Sequence, residues 1–221
     1  MSTTNSGSES NNKPLIAVLD YGIGNLRSAQ KGLQFVGADA QLTSDKKLIA
    51  EAQAVVLPGV GNFGACMTAL REAGLEDSVH EAINSGRPFL GICVGMQMLF
   101  ERSEESPGVA GLGVVAGEIR WLPAGVQRPQ MQWNRLNIKK QDDLFVGLSE
   151  NPWMYFVHSL SAVAQDQSVV AATCSYGSEL LAAIRLRNIF ATQFHPEKSA
   201  SEGLRILESF VNSCAVVATS K

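Results

Sequence analysis

Three apolar segments, each running into a glycine-containing turn and then a helical pattern, restrict this chain more than anything else in it. They are "PLIAVLDYG", "AVVLPGVG" and "PFLGI". Apolar residues in them do not alternate with polar ones, so both faces of such strands must be covered. After the first, "NLRSAQKGLQFVG" sets Leu26, Ala29, Leu33 and Val36 on one helical face and closes at Gly37. After the second, "NFGACMTALREAGLEDSVHEAINSG" reads as helical with a break near Gly74, and a third helix is expected after Cys93. Repeated β-α units of this kind predict an α/β fold: three layers, with a mostly parallel central sheet flanked by helices.

From about Val114 the pattern changes to strands separated by turns: "VVAGEIRWL", "MQWNRLNI", "WMYFVHSL", "SVVAATCSYG" and "LAAIRLRNIFATQFH". The last reads as a hairpin around Arg187 and Asn188, and together they predict an antiparallel extension of the parallel sheet. "SASEGLRILESFVNSCAVV" predicts a closing helix, with Ser199 and Glu202 spaced as a capping box and Leu204, Leu207, Phe210, Val211 and Cys214 facing inward. No repeat or linker interrupts the chain, so one domain is expected over residues 14–217, after a polar tail, residues 1–13, expected to be disordered.

Charge and cysteine usage exclude several function classes. A net charge of −3 offers no electrostatic attraction to nucleic acid or an anionic membrane. No apolar run approaches the ~18 residues of a membrane span, and the opening "MSTTNSGSESNNK" lacks the apolar stretch of a secretory signal. Cys66, Cys93, Cys174 and Cys214 form no C-x-x-C pair and have no histidine at zinc-like spacing, so neither a disulfide framework nor a metal site is expected. The expectation is a cytoplasmic protein whose thiols are either buried hydrophobes or reactive groups.

Cys93 is the thiol that stands out. Gly91-Ile92-Cys93-Val94-Gly95, between an apolar strand and a helical pattern, has the form of a nucleophile elbow with cysteine in the serine position. A helix N-terminus there favours negative charge and so suits a thiolate. A nucleophile of this kind needs a base, and histidine serves near neutral pH. Of three histidines, His80 lies in a polar helical stretch and His158 closes an apolar strand in the manner of a hydrogen-bonded core residue. His195 is followed by Pro196 and Glu197, and residues two apart on an extended chain share a face, so Glu197 can brace the imidazole. Acyl chemistry also needs donors for an oxyanion: the amide of Val94, and Val60 or Gly61 from the turn "PGVG". Each signal has a plainer reading: a buried cysteine at a tight turn, a strand-ending corner, a glycine turn that only turns. "GIGNLR" begins like a dinucleotide fingerprint, but Arg27 occupies the position where glycine permits close packing, so no nicotinamide site is expected.

Elbow cysteine, glycine-rich turn and late His-Pro-Glu together resemble the class I glutamine amidotransferases, over about Leu15 to Val211. Within that family, "VLDYGIGNLRS", "LPGVGNFGACM", "GICVGMQMLFERSEE", "QWN" and "FATQFHPEKS" are similar to the glutaminase subunits of imidazole glycerol phosphate synthase. The resemblance implies a flavodoxin-like fold, no cofactor, and a triad of Cys93, His195 and Glu197 that hydrolyses glutamine to glutamate and ammonia. It implies substrate contacts at Gly59, Gln97 and Ser159. It further implies a (β/α)8-barrel synthase partner that receives the ammonia, docked on Met131, Trp133 and Asn134. Two residues depart from the family's pattern: Gln132 where relatives usually carry glycine, and Leu160 where they commonly carry tyrosine. The glutaminase subunit of another pathway, such as anthranilate or aminodeoxychorismate synthase, remains an alternative, as do a catalytically silent regulatory subunit and a cysteine peptidase or esterase.

Overall fold

The computed structural model describes residues 13–218; the tail expected at the N-terminus lies, but for Lys13, outside the described residues. In chain order the first half runs β1 (Leu15–Leu19), α1 (Leu26–Phe35), β2 (Asp39–Thr43), α2 (Lys46–Glu51), β3 (Ala54–Gly59), α3 (Phe63–Glu72), α4 (Glu76–Asn84), β4 (Phe89–Cys93) and α5 (Val94–Gln97). The second half runs β5 (Phe100–Ser103), β6 (Val115–Trp121), β7 (Gln130–Arg135), β8 (Asn137–Ile138), β9 (Trp153–His158), β10 (Leu160–Ala164), β11 (Val170–Tyr176), β12 (Ser178–Leu186), β13 (Ile189–Thr192) and α6 (Ala200–Ala218).

The central sheet has the order β2-β1-β3-β4-β13-β12-β11-β8. Pairings from β2 through β13 are parallel, and those from β13 through β8 are antiparallel. Every residue of β3 and β4 is buried, which is what the unalternating apolar segments require of strands covered on both faces. Helix α1 packs with α6, and α2 packs with α4, as the two outer layers. The hairpin turn falls at Arg187 and Asn188; Arg187 takes φ 52°, and Asn188 Nδ2 donates to the Ile83 and Arg87 carbonyls at 3.0 and 2.7 Å. Two smaller sheets, β10-β6-β5 and the ribbon β7-β9, sit beside the main one.

Local expectations fail where distant backbone partners win. The helix after Cys93 lasts only through Gln97, because the Leu112 and Val114 amides donate to the Met98 and Leu99 carbonyls and draw the chain into the small sheet. "WMYFVHSL" is not one strand: it breaks at Ser159, β9 pairing with β7 and β10 with β6. "MQWNRLNI" likewise divides at Leu136, whose amide donates to Pro152 instead of continuing either ladder. The capping box does not form. Ser199 Oγ donates to the His195 carbonyl at 2.6 Å and accepts from the Tyr155 amide at 3.0 Å, while the Glu202 carboxylate accepts from the Ser149 amide at 3.4 Å. The inward stripe of α6 holds at Leu207, Phe210, Val211 and Cys214, with Leu204 half-buried and Ile206 joining it.

The carboxyl ends of β3 and β4 lie side by side, Gly59 opposite Cys93. The start of α5, just after Cys93, packs directly onto the end of β3 because glycines remove the side chains that would hold the two apart. A Cβ on Gly59 would sit 2.8 Å from the Gly95 nitrogen, and a Cβ on Gly95 would drive into the Leu57 carbonyl. Backbone atoms cannot yield as a flexible side-chain end can. Gly95→Ala is therefore expected to cost at least about 3 kcal/mol, the upper range for overpacking. Urea unfolding would read this as a lowered midpoint, and a midpoint near that of the wild type would remove the close approach as a constraint.

Candidate active site

Cys93 ends β4 in a conformation that non-glycine residues rarely adopt, φ 56° and ψ −113°. Holding a residue there costs on the order of 1–3 kcal/mol, and such strain persists only where the surroundings impose it. The turn leaves Cys93 just before the first residue of α5, so the Val94 amide is among the N–H groups at that helix's open end.

His195 follows β13, the strand next to β4, and its side chain and that of Glu197 are each 2% exposed. Nδ1 lies 2.8 Å from Glu197 Oε1. That contact comes from a short 3-10 turn over Pro196–Lys198, not from the extended chain the spacing suggested, so the turn bends the carboxylate back to the ring. Burial alone would keep the imidazole neutral. The negatively charged form of the Cys93 sulfur and the Glu197 carboxylate beside it outweigh that and raise its pKa to about 10. With Nδ1 engaged, Nε2 is buried and has no hydrogen-bond partner among the described residues.

Cys93 and His195 line one cavity of about 250 Å3, together with Val60, Gly61, Val94, Gln97 and Ser159. Of the residues expected for chemistry or substrate, two do not line this space: Glu197 reaches it only through the His195 ring, and Gly59 lies behind the wall, packed on the backbone of Val94 and Gly95 and on the Tyr21 hydroxyl. His158 also borders the cavity, but its ring is engaged: Nδ1–H donates to the Leu160 carbonyl at 2.7 Å, which leaves Nε2, 3.0 Å from the Gln130 side-chain amide, as an acceptor. Burial lowers its pKa to about 4, so it stays neutral in ordinary buffers. His80, on α4, borders a different recess with Asn84 and Arg187. A larger recess of about 510 Å3 lies at the opposite end of the strands, near Pro88 and Asn188, and contains neither thiol nor imidazole.

The glycine turn after β3 is held from beneath by residues outside the expected set. Tyr21 donates its hydroxyl to the Pro58 carbonyl at 2.6 Å, and Cys66 Sγ donates to the Val60 carbonyl at 3.3 Å. Burial raises the Cys66 pKa to about 11 and pushes the Tyr21 phenol up as well, so both remain neutral donors. Glu105 accepts from the Phe63 amide at 2.7 Å and fixes the start of α3. Gln193, fully buried between Cys93 and Gln97, was also unforeseen. A lone amide inside the apolar run "IFATQFH" was its available signal, because a buried polar group requires a partner.

The ribbon β7-β9 has two faces. Met131, Trp133 and Trp153 are exposed, with Trp133 edge-on to Tyr155 and the Arg135 guanidinium over Trp153. Asn134 is half-buried, and its Nδ2 donates to the Ser175 carbonyl at 2.9 Å, tying the ribbon to β11. Among the described residues, no group of three or more His, Cys, Asp or Glu is placed to hold a metal ion, all four cysteines are free thiols, and no helix is long and apolar enough to cross a membrane.

A raised histidine pKa makes its charged form a stability contribution that is complete below the unfolded value, about 6.5, and is lost as pH rises through about 10. The stability difference between wild type and Glu197→Gln is thus expected to be largest near pH 6 and to narrow toward pH 10. Urea unfolding of both proteins across that range would measure it; a gap independent of pH would remove the charged pair.

The chain matches the model of the class-I glutamine amidotransferases over residues 18–214. It is 48% identical over 202 residues to the imidazole glycerol phosphate synthase subunit HisH of Geobacter sulfurreducens, covering 88% of this chain and 97% of that protein. It is 46% identical to the HisH subunit of Aquifex aeolicus, with 87% and 94% covered, and 48% identical to that of Methanothermobacter thermautotrophicus, with 89% and 98% covered. Solved structures are similar in fold: a glutamine amidotransferase at TM-score 0.72 and 23% identity, and PurLQS from Thermotoga maritima at 0.73 and 22%, each covering 90% of this chain and 98% of the other. With a family match across most of its length and relatives near half identical, the chain belongs to the class-I glutamine amidotransferases, in the branch of the HisH subunits.

Proposed function

We propose that this protein is the glutaminase subunit of an imidazole glycerol phosphate synthase, a single amidotransferase domain over residues 14–217 that acts in the cytoplasm. One observation carries the reading: a thiol on a strained turn, an imidazole braced by a carboxylate, and an open glycine turn border the same cavity.

Cys93 Sγ attacks the side-chain carbonyl carbon of glutamine, and the carbonyl oxygen takes up the negative charge. The Val94 amide, with that of Val60 or Gly61, stabilises this oxygen; loss of one such donor typically costs ~3 to 4 kcal/mol in the transition state. His195 gives a proton to the departing nitrogen, and ammonia leaves a thioester behind. The Cys93 sulfur and Glu197 carboxylate beside it bring the ring into this step protonated, and bonding of the sulfur to carbon removes one of the charges that hold that proton. Water then attacks the thioester with His195 as base, the sulfur departs with its electron pair, and glutamate is released. Glu197 keeps the imidazole oriented throughout. Gln97 and Ser159 hold the substrate, and Gly59 keeps the wall behind the nucleophile thin enough for the turn to close.

Ammonia released at neutral pH is mostly protonated in water and is no longer a nucleophile, so a second active site must receive it before it reaches bulk solvent. That the relatives are subunits of a synthase supports such a partner. We infer a (β/α)8-barrel subunit that docks on the ribbon at Met131, Trp133 and Asn134, where aromatic and arginine side chains of the kind that anchor interfaces are exposed.

In the assembled synthase, Cys93→Ala is expected to reduce glutamine-dependent synthesis at least about a thousandfold while ammonium-salt-dependent synthesis changes by less than about twofold. Parallel assays with the two nitrogen sources decide it: equal loss of both contradicts ammonia delivery. Trp133→Ala is expected to weaken the subunit complex by about 2 kcal/mol, roughly 30-fold in Kd. Titration calorimetry would measure this, and a change below about threefold would take Trp133 out of the interface.

A further inference from the structure

Gln193 is completely buried, one residue beyond the end of β13, and its backbone amide continues the strand by donating to the Ala182 carbonyl at 2.8 Å. That backbone bond needs no particular side chain. Yet an amide side chain is buried here in an apolar strand end, where a hydrocarbon would carry no desolvation cost. Its environment accounts for it. Gln193 Nε2 lies 3.7 Å from Cys93 Sγ, within the longer reach of a sulfur acceptor, and Gln193 Oε1 accepts from Gln97 Nε2 at 3.0 Å.

The direction of this line of hydrogen bonds is dictated from its far end. Gln97 Nε2 also donates, at 3.3 Å, to the carbonyl oxygen of Leu160. A backbone carbonyl can only accept, so the nitrogen of Gln97 must face it. The Gln193 group that faces the same nitrogen must then be its oxygen, and its NH2 is left pointing at the sulfur. Carbonyl, amide, amide and thiol form one relay that can present only a donor to Cys93. A side chain substituted at position 160 would leave this anchor in place, because only the Leu160 backbone takes part.

We propose that Gln193 is a catalytic residue: its side-chain N–H donates to Cys93 Sγ, stabilising the sulfur whenever it carries negative charge. That charge is present on the thiolate before attack and returns when the thioester breaks. In the second step water adds to the acyl carbon, the carbon–sulfur bond breaks, the electron pair goes to sulfur, and glutamate leaves. Between the two, in the neutral thioester, the same bond is weak. The donor therefore favours release of the acyl group, and it does so without moving a proton itself. This inference rests on Cys93 being the nucleophile proposed above.

Gln193→Met keeps the length of the side chain and removes the donor. In the assembled synthase the variant is expected to lose about 10- to 100-fold in kcat for glutamine, with KM within about threefold and ammonium-dependent synthesis unchanged. Alkylation of Cys93 by iodoacetamide supplies the readout that a packing role would not move. The pH of half-maximal alkylation is expected to rise by about one to two units, as for loss of one hydrogen bond to a charged group. The other titratable groups about the sulfur, His195, His158, Cys66, Tyr21 and Glu105, are the same in both proteins. An unchanged alkylation profile overturns the proposal. Should Cys93→Ala retain glutamine-dependent synthesis, it is the nucleophile assignment that fails instead, so the two failures are distinguishable. If Gln193→Met does not fold, the unaltered protein still decides: with glutamine side chains labelled with nitrogen-15, one protected NH2 signal is expected to follow the titration of Cys93 and to lose that response in Cys93→Ala. Absence of any such signal counts against the donor.

Discussion

The start of α5, packed onto the ends of β3 and β4, holds the site together, and it can pack there only because three glycines let main chain lie against main chain. Gly59 faces Cys93 across the ladder and lies against the Gly95 nitrogen, Gly95 packs under the Leu57 carbonyl, and Gly91 lies against the Gly95 carbonyl and the Met96 backbone. Within that contact the chain has little choice but to turn sharply at Cys93, and the residue takes up a strained conformation that free chain would abandon. The thiol's position is thus a result of sheet packing, and its strain is carried by the whole parallel sheet.

A second constraint acts on the imidazole. Burial opposes a charge on His195, and the charged form of the neighbouring Cys93 sulfur together with one carboxylate oxygen reverses that opposition. The same ring at His158 has only uncharged partners, and there burial prevails. Two histidines on the border of one cavity therefore hold opposite charge states at neutral pH, for a reason visible in their immediate partners. The comparison also explains why one imidazole is free to take part in proton transfer while the other is part of the wall.

Much of this was legible in the residues. Unalternating apolar segments announce a covered parallel sheet, and G-I-C-V-G and H-P-E mark the strained turn at Cys93 and the imidazole braced by Glu197. What failed was whatever depended on distant backbone. The short life of α5 is decided by amides more than ten residues downstream, and Ser199 abandons its cap because the His195 carbonyl and Tyr155 amide are nearer at hand. Gln193 escaped notice for a related reason: its partners, Cys93 and Gln97, lie about a hundred residues away in the chain, and no local pattern announces them. Cys66 and Tyr21 read as ordinary core residues and become interpretable only once the turn at Val60 is seen resting on them.

The ribbon β7-β9 has an implication of its own. Strand β9 contributes the His158 side chain to the inside of the cavity, while its pairing partner β7 carries Met131 and Trp133 to the outside. Residues bound to one face of a two-stranded ribbon are separated from those on the other by a single thickness of peptide. Whatever grips the outer surface shares a common plank with the inner lining, so a tilt of that plank would be felt on both sides at once, with no chain of messengers between them.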